Sequence, residues 1–152
     1  MKNEEGETRK RLSKETDDQD GSEGPAERAR PEDIEVRTLR YGVRAVRLFR
    51  VLQDGDDRAG WAVGKQFLRS ATSVRANVAE ARAAESRRDF VHKIQIAQKE
   101  ARESLYWLRL LAEAAILPAD KLADLTRETD EIVSILVAIA RDAKQNASRS
   151  QR

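Results

Sequence analysis

A row of arginines in the first predicted helix is the group of residues best suited to bind a ligand. Arg37, Arg40, Arg44 and Arg47 are spaced by three, four and three residues, so they share one face of an α-helix. Phosphates repeat along a nucleic-acid strand, and a fixed row of guanidinium groups can bind several of them at once. The row therefore predicts contact with nucleic acid. The residues that could extend this surface are Lys65, Arg69, Arg82, Arg87, Arg88 and Lys93.

Two alternatives to nucleic-acid contact remain open for the arginine row. A row of like charges is typical of a solvated helix face, and arginines also form ion pairs with glutamates across subunit interfaces. The overall charge does not decide between them. Residues 31–152 hold 22 basic and 18 acidic residues, a mild excess that permits a polyanionic partner without requiring one.

Enzymatic and metal-binding chemistry has little support in the sequence. Carboxylate-bridged metal sites in helical bundles need a Glu-x-x-His motif on two helices, whereas this chain offers only Asp89-x-x-His92. Its single histidine excludes a histidine cage, and the absence of cysteine excludes thiolate ligands and disulfides. We therefore expect no catalytic residues, no metal site and no cofactor.

Three small polar residues lie beside the apolar stripe of the second predicted helix. Ser70, Ser73 and Asn77 could be read as a polar binding site. Buried polar groups must be paired, however, and such residues often fix how helices align. We therefore predict that Asn77 makes interhelical hydrogen bonds.

Four stretches of the chain have the apolar spacing of amphipathic helices. The stripe of the first helix, read as its buried face, is Val36, Leu39, Val43, Val46 and Phe49. Gly42 lies within this helix and predicts close helix packing, or else a tolerated cost of about 1 kcal/mol. The second helix is predicted from Arg58 to Arg82. A capping box of Ser86 and Asp89 begins the third helix, and Pro118 opens the fourth.

The stripes of the later helices are equally regular. They comprise Val63, Phe67, Ala71, Val74, Val78 and Ala81 in the second; Phe90, Ile94, Ala97, Ala101, Leu105, Leu108 and Leu111 in the third; and Leu122, Leu125, Ile132, Leu136 and Ile139 in the fourth. Four helices of about 20 residues with short connections predict antiparallel neighbours. The fold class is therefore an all-α, up-down antiparallel four-helix bundle.

The chain divides into three regions by composition. Residues 1–31 are charged, contain one leucine, and are predicted to form a disordered tail because they have too little apolar surface to bury. The bundle is predicted over residues 32–145, followed by a frayed C-terminal tail over 146–152. No stretch is apolar enough to span a membrane or to act as a signal peptide, so a cytoplasmic protein without a membrane partner is expected.

Two features predict contact between subunits. Ser134 is the only polar residue between Ile132 and Ala140, so the fourth helix is apolar nearly all round and would be covered on more than one side. This predicts an oligomer interface that includes Val133 and Val137, although a wide, partly exposed stripe is the alternative. Tyr106 and Trp107 are predicted to belong to the interface as well, with the core or ligand stacking as alternatives.

The run from Ser70 to Leu111 resembles a known bacterial family, the four-helix-bundle proteins encoded by intervening sequences of 23S ribosomal RNA. The motif Ser-hydrophobic-x-x-Asn followed by Ala-Glu is matched by 73–77 and 79–80, and Ser-x-x-acidic-Phe is matched by 86–90. The segment from Ile96 to Leu108 matches a later motif. The chain departs from the family at Ala81, where glycine is common, and at 99–100, where a Gly-Ser pair is replaced by Lys-Glu.

This resemblance implies a small helical bundle that assembles as a homo-oligomer, in several members a pentamer, with a basic surface suited to nucleic acid. It is also distantly similar to accessory proteins of diversity-generating retroelements, which work with a reverse transcriptase and RNA. Two functions follow as alternatives. One is a non-enzymatic accessory protein that binds structured RNA through its basic surface. The other is a scaffold that recruits another protein and has no nucleic-acid role.

Overall fold

The computed structural model describes residues 33–149 of the chain. Its helices are α1 (Ile34–Asp54), α2 (Arg58–Arg82), α3 (Arg87–Glu113) and α4 (Ala119–Arg149). Each helix packs against the next one in the chain and α4 returns to α1, whereas the backbones of the diagonal pairs, α1 with α3 and α2 with α4, stay farther apart. This confirms the predicted all-α four-helix bundle. The predicted tail of residues 1–31 lies outside the described residues, as do residues 150–152, and α4 continues through Asn146 to Arg149.

Side-chain caps begin three of the helices. Asp33 accepts a hydrogen bond from the Glu35 amide at 2.9 Å, and this bond is the main reason that the pKa of Asp33 lies below its usual value. Asp57 caps α2 in the same way, and Ser86 accepts from the Asp89 amide at 3.1 Å. The last of these confirms the predicted start of α3, because the hydroxyl satisfies an amide that has no partner within the helix.

The core lies where three of the four predicted stripes meet. The predicted stripe residues of α2, α3 and α4 are buried, apart from half-buried Val63, Phe90 and Ile139. Phe67, Ile94 and Leu136 are among the largest side chains that are almost completely removed from water. Each of these helices has one dominant apolar stripe, so its spacing identifies the buried face directly.

The prediction for α1 is wrong, because the helix turns a different face to the core. Thr38, Tyr41, Ala45 and Leu52 are its buried residues. The members of the predicted stripe that α1 exposes, called here the outer α1 row, are Val36, Leu39, Val43 and Val46, with relative exposures between 37% and 56%. At 100° per residue the outer α1 row points about 150° away from the buried face. The helix is therefore apolar on two opposite sides.

Close approach of helices depends on two glycines of α2 that the sequence pattern does not single out. A Cβ atom on Gly64 would lie 2.7 Å from Leu52 Cδ1, and one on Gly60 would lie 2.9 Å from Ile116 Cγ2. These two glycines lie one turn apart on α2, where they let α1 and the α3–α4 connection approach its backbone. A Cβ on Gly42 would meet nothing within 4 Å, so the close packing predicted at Gly42 is absent among residues 33–149.

A layer of buried hydroxyl groups contains residues of all four helices. Thr129 on α4 is 2.9 Å from the Tyr41 hydroxyl on α1, and Ser70 on α2 is 2.8 Å from Ser104 on α3. Ser104 lies near enough to the Tyr41 hydroxyl to influence the pKa of that group, so the two pairs are neighbours in the middle of the bundle. Asn77 instead donates to the Ser73 carbonyl within its own helix, at 2.9 Å. The predicted interhelical role of Asn77 is therefore wrong, and Ser70 has that role.

Candidate nucleic-acid interface

The first arginine of the predicted row joins α1 to α4. Arg37 donates to both carboxylate oxygens of Glu128, at 2.8 and 2.9 Å, and also pairs with Glu131. The hydrogen bonds to Glu128 raise the pKa of Arg37, and the same contact lowers the pKa of Glu128. Both side chains are only about one-fifth exposed, at 21% and 22%. The charge of Arg37 is thus neutralised by its own chain.

Three further residues of the predicted surface are held by carboxylates of neighbouring helices. Arg69 on α2 reaches Glu100 and Glu103 on α3, and Lys93 lies 2.5 Å from Glu80. The Arg69 contact is the main cause of the lowered pKa of Glu103, which also accepts from the Trp107 indole at 3.1 Å. Because carboxylates already occupy the charged groups of Arg69 and Lys93, a phosphate would have to compete with them for these side chains.

The third residue held by carboxylates is Arg82. Lys65 instead contacts an aromatic ring. Arg82 makes hydrogen bonds to both carboxylate oxygens of Asp33, at 2.9 and 3.1 Å, and lies 3.5 Å from Glu35. Lys65 lies over the Trp61 ring, with its amine 4.4 Å from the ring centroid, a cation–π arrangement. Both side chains remain exposed.

Four arginines of the predicted surface have no ion pair within residues 33–149. Arg44 and Arg47 lie on α1, and Arg87 and Arg88 form the first turn of α3. Arg47, Arg87 and Arg88 are exposed, and Arg44 is half-buried and close enough to Glu128 to lower the pKa of that carboxylate. Arg40 is exposed beside them. The structure therefore separates predicted cations that are ion-paired within the chain from four arginines, in two separate pairs, that have no ion pair within residues 33–149.

Of the four predicted interface residues, Tyr106 and Val137 are exposed on the outside of α3 and α4. Tyr106 is 55% exposed and meets Trp107 edge to face, with ring centroids 4.7 Å apart. Trp107 is half-buried. Val137 is 38% exposed, whereas Val133 is half-buried and packs against the core. The outer α1 row exposes four aliphatic side chains, more than the predicted interface residues of α3 and α4 do. The sequence analysis does not identify it as a surface because its spacing is also that of a core stripe.

Neither a metal site nor a membrane-spanning helix occurs within residues 33–149. In that range no three histidine or acidic side chains come close enough together to hold a metal ion, and His92 is exposed. No helix in the same range is long and apolar enough to cross a membrane.

Comparisons with known proteins agree on one family. Residues 43–138 match the sequence model of the family described as 23S rRNA-intervening sequence protein. A crystal structure from Bacteroides thetaiotaomicron, of a protein with unknown function from the S23 ribosomal protein family, is 34% identical in sequence, with a TM-score of 0.66. The similarity covers 71% of this chain and 98% of the other. No curated protein matches.

Proposed function

Since the chain belongs to the family of 23S rRNA-intervening sequence proteins, we propose that it is a non-enzymatic, self-associating helical bundle that binds structured RNA. The observation that supports RNA binding is the set of arginines without an ion pair in residues 33–149: Arg44, Arg47, Arg87 and Arg88. Arg37, Arg69 and Arg82 of the same predicted surface are instead paired with carboxylates of the chain. Unpaired guanidinium groups at fixed positions suit repeated phosphates, because each contact releases condensed counterions.

Self-association is proposed through the outer α1 row. Four neighbouring aliphatic side chains on a helix that already buries its opposite face form an apolar surface that a partner would cover. Tyr106 lies on the outside of α3, which is diagonal to α1 in the bundle. Contact between the outer α1 row of one subunit and Tyr106 of the next would join two different surfaces, and such heterologous contacts form a ring when the rotation from one subunit to the next closes. A closed homo-oligomer, a pentamer by resemblance, would repeat the arginines and increase avidity.

The test of RNA binding is a salt titration with a structured RNA. We expect the double variant Arg44→Gln/Arg47→Gln to bind more weakly than the wild type. Its slope of log affinity against log salt should be smaller by about 1.4–1.8, because two phosphate contacts are lost. The matched control is Arg127→Gln/Arg141→Gln, which removes two exposed arginines that pair with acids three residues and one residue away. Equal slopes for the two double variants would contradict the role of Arg44 and Arg47.

One observation favours the second candidate function, a protein scaffold. Four cations of the predicted surface form ion pairs with carboxylates of the same chain: Arg37, Arg69, Arg82 and Lys93. Such internal pairing is expected on the surface of a protein that has no polyanionic partner. The scaffold would recruit a protein, a reverse transcriptase among the candidates. Wild-type protein that binds no RNA even at low salt, yet still assembles, would favour this function.

A further inference from the structure

Two adjoining grooves occupy the end of the bundle where α3 begins and α4 ends. The larger, of about 830 Å³, lies between the first turns of α3 and the last turns of α4, and the smaller, of about 400 Å³, lies on the side of α2. Ser86, Arg87 and Ala143 line both. The two grooves therefore form one depression that passes around Arg87, called here the end groove. Even without the smaller part, the larger part has a volume within the usual range of small-ligand sites.

The rim of the end groove is cationic. Arg87, Arg88, His92 and Lys144 line its larger part, with Asp89 as the acidic residue there. Asp89 acts on Lys93, whose pKa its charge helps to raise after the larger effect of Glu80. Arg87 and Arg88 have no carboxylate partner within residues 33–149, in contrast to Arg82 in the smaller part, which Asp33 holds at 2.9 Å. Two uncompensated guanidinium groups thus lie side by side at a concave surface.

The position of these arginines conflicts with the helix that carries them. Arg87 and Arg88 are the first two residues of α3, where the helix dipole favours acidic side chains and disfavours cations. Ser86 satisfies the Asp89 amide, but the dipole still adds positive potential to that of the two arginines. An anion bound in the end groove would offset the positive potential of the helix terminus and that of the two arginines. Sites at which a sequence departs from local preference are often functional ones.

Apolar side chains form another part of the lining of the end groove, called here the apolar floor. Val91 and Ala143 line the larger part, and Phe90 lines the smaller. Such a floor beside two guanidinium groups suits a nucleotide, in which an apolar base face adjoins a phosphate. We propose that the end groove binds a nucleotide unit, with its phosphate on Arg87 and Arg88 and its base or sugar on the apolar floor. This inference rests on the proposed function, since an RNA strand is one source of that unit and a free nucleotide is the other.

His92 provides a direct probe, because it is the only histidine of the chain and lines the end groove. The imidazole NMR signal of the full-length protein would be followed while RNA, a free nucleoside monophosphate or inorganic phosphate is added. We expect RNA to shift the signal in a saturable way. The double variant Arg87→Gln/Arg88→Gln should abolish the shift and lower the salt slope of RNA binding by about 1.4–1.8. A shift with the monophosphate alone would support the nucleotide site and assign it to a free nucleotide.

The controls separate this inference from the proposed function. Arg127→Gln/Arg141→Gln should leave the response of His92 in place, and an unchanged helical circular dichroism spectrum should show that this variant and Arg87→Gln/Arg88→Gln both fold. If RNA binds with a normal salt slope to Arg87→Gln/Arg88→Gln and leaves the His92 signal unmoved in the wild type, the end groove is not the site and the proposed function stands. If no RNA binds to any form of the protein, the proposed function fails, and an unmoved signal with the monophosphate then overturns the inference as well.

Discussion

Replacing two glycines by alanine should change stability in opposite directions. Both lie inside helices, where alanine is favoured over glycine by about 1 kcal/mol. At Gly42 the new methyl group would meet nothing within 4 Å, so Gly42→Ala should stabilise the protein by about that amount. At Gly64 it would lie 2.7 Å from Leu52 Cδ1, 3.3 Å from Phe49 Cδ2 and 3.4 Å from Leu52 Cβ.

Leu52 has little freedom to relieve that contact. It is 5% exposed, and its other methyl group, Cδ2, already lies near the position that a Cβ on Gly60 would occupy, at 3.5 Å. Overpacking of this kind costs about 1–3 kcal/mol, so after the gain in helix propensity Gly64→Ala should lose roughly 1 kcal/mol. The two variants should therefore differ by about 2 kcal/mol, or roughly 6–10 °C in Tm for a folded region of this size.

Thermal unfolding at one protein concentration measures this difference, because association makes Tm depend on concentration. Equal stabilisation by both substitutions would refute the close approach of α1 to α2 at Gly64. If Gly42→Ala instead lowers Tm, and more strongly in dilute solution, then Gly42 packs against another subunit. In that case the close packing that the sequence indicated would exist between chains.

The remaining predictions concern the hydroxyl layer, the contact of α1 with α4, and the outer α1 row. Tyr41→Phe should cost about 1 kcal/mol in urea unfolding with an unchanged m-value, because the Thr129 hydroxyl keeps its 2.7 Å bond to the Leu125 carbonyl; no loss would show that the tyrosine hydroxyl adds nothing. The hydrogen bond from Arg37 lowers the pKa of Glu128 below its unfolded value of about 4.3, so its contribution to stability is complete above that pH and is lost as the pH falls through the folded pKa. The wild type should therefore exceed Glu128→Gln in stability at pH 7 and lose that lead as the pH falls below about 4.3 and through the folded pKa of Glu128, whereas a constant difference over this range would contradict this origin. Leu39→Gln should reduce the oligomer measured by light scattering, whereas Val51→Gln, equally exposed but outside the outer α1 row, should not, and equal effects of the two would argue against the row as the interface.

The sequence was sufficient to predict the fold because three helices each have one apolar stripe. α1 has two, and spacing alone favoured the aliphatic one. The buried face of α1 instead contains Thr38, Tyr41 and Ala45, a threonine, a tyrosine and a small residue whose burial depends on partners in other helices. Tyr41 can be buried because its hydroxyl has a hydrogen-bond partner, Thr129. That partner lies 88 positions further along the chain, so no local pattern indicates it.

The candidate site was predictable only as a set of cations. Arg37 and Arg47 have the same residue type and lie on the same predicted face, yet Arg37 is neutralised by Glu128, which lies 91 positions away. No local pattern distinguishes the two arginines, because the difference depends on which helix becomes the neighbour of α1. The end groove was hidden for the same reason, since residues from the start of α3 and the end of α4 form it only after the bundle closes.

The hydroxyl layer has a consequence for where this protein can act. Two of its members also contact backbone carbonyls of their own helices: Ser70 that of Phe67, and Thr129 that of Leu125. Within residues 33–149 no buried side-chain polar atom lacks a partner. Burial raises the pKa of Tyr41 to about 12, so its hydroxyl stays neutral at physiological pH. Within these residues the buried polar side chains in the middle of the bundle are thus occupied by partners of the same chain, which favours recognition on the outer surfaces of the helices and at their ends.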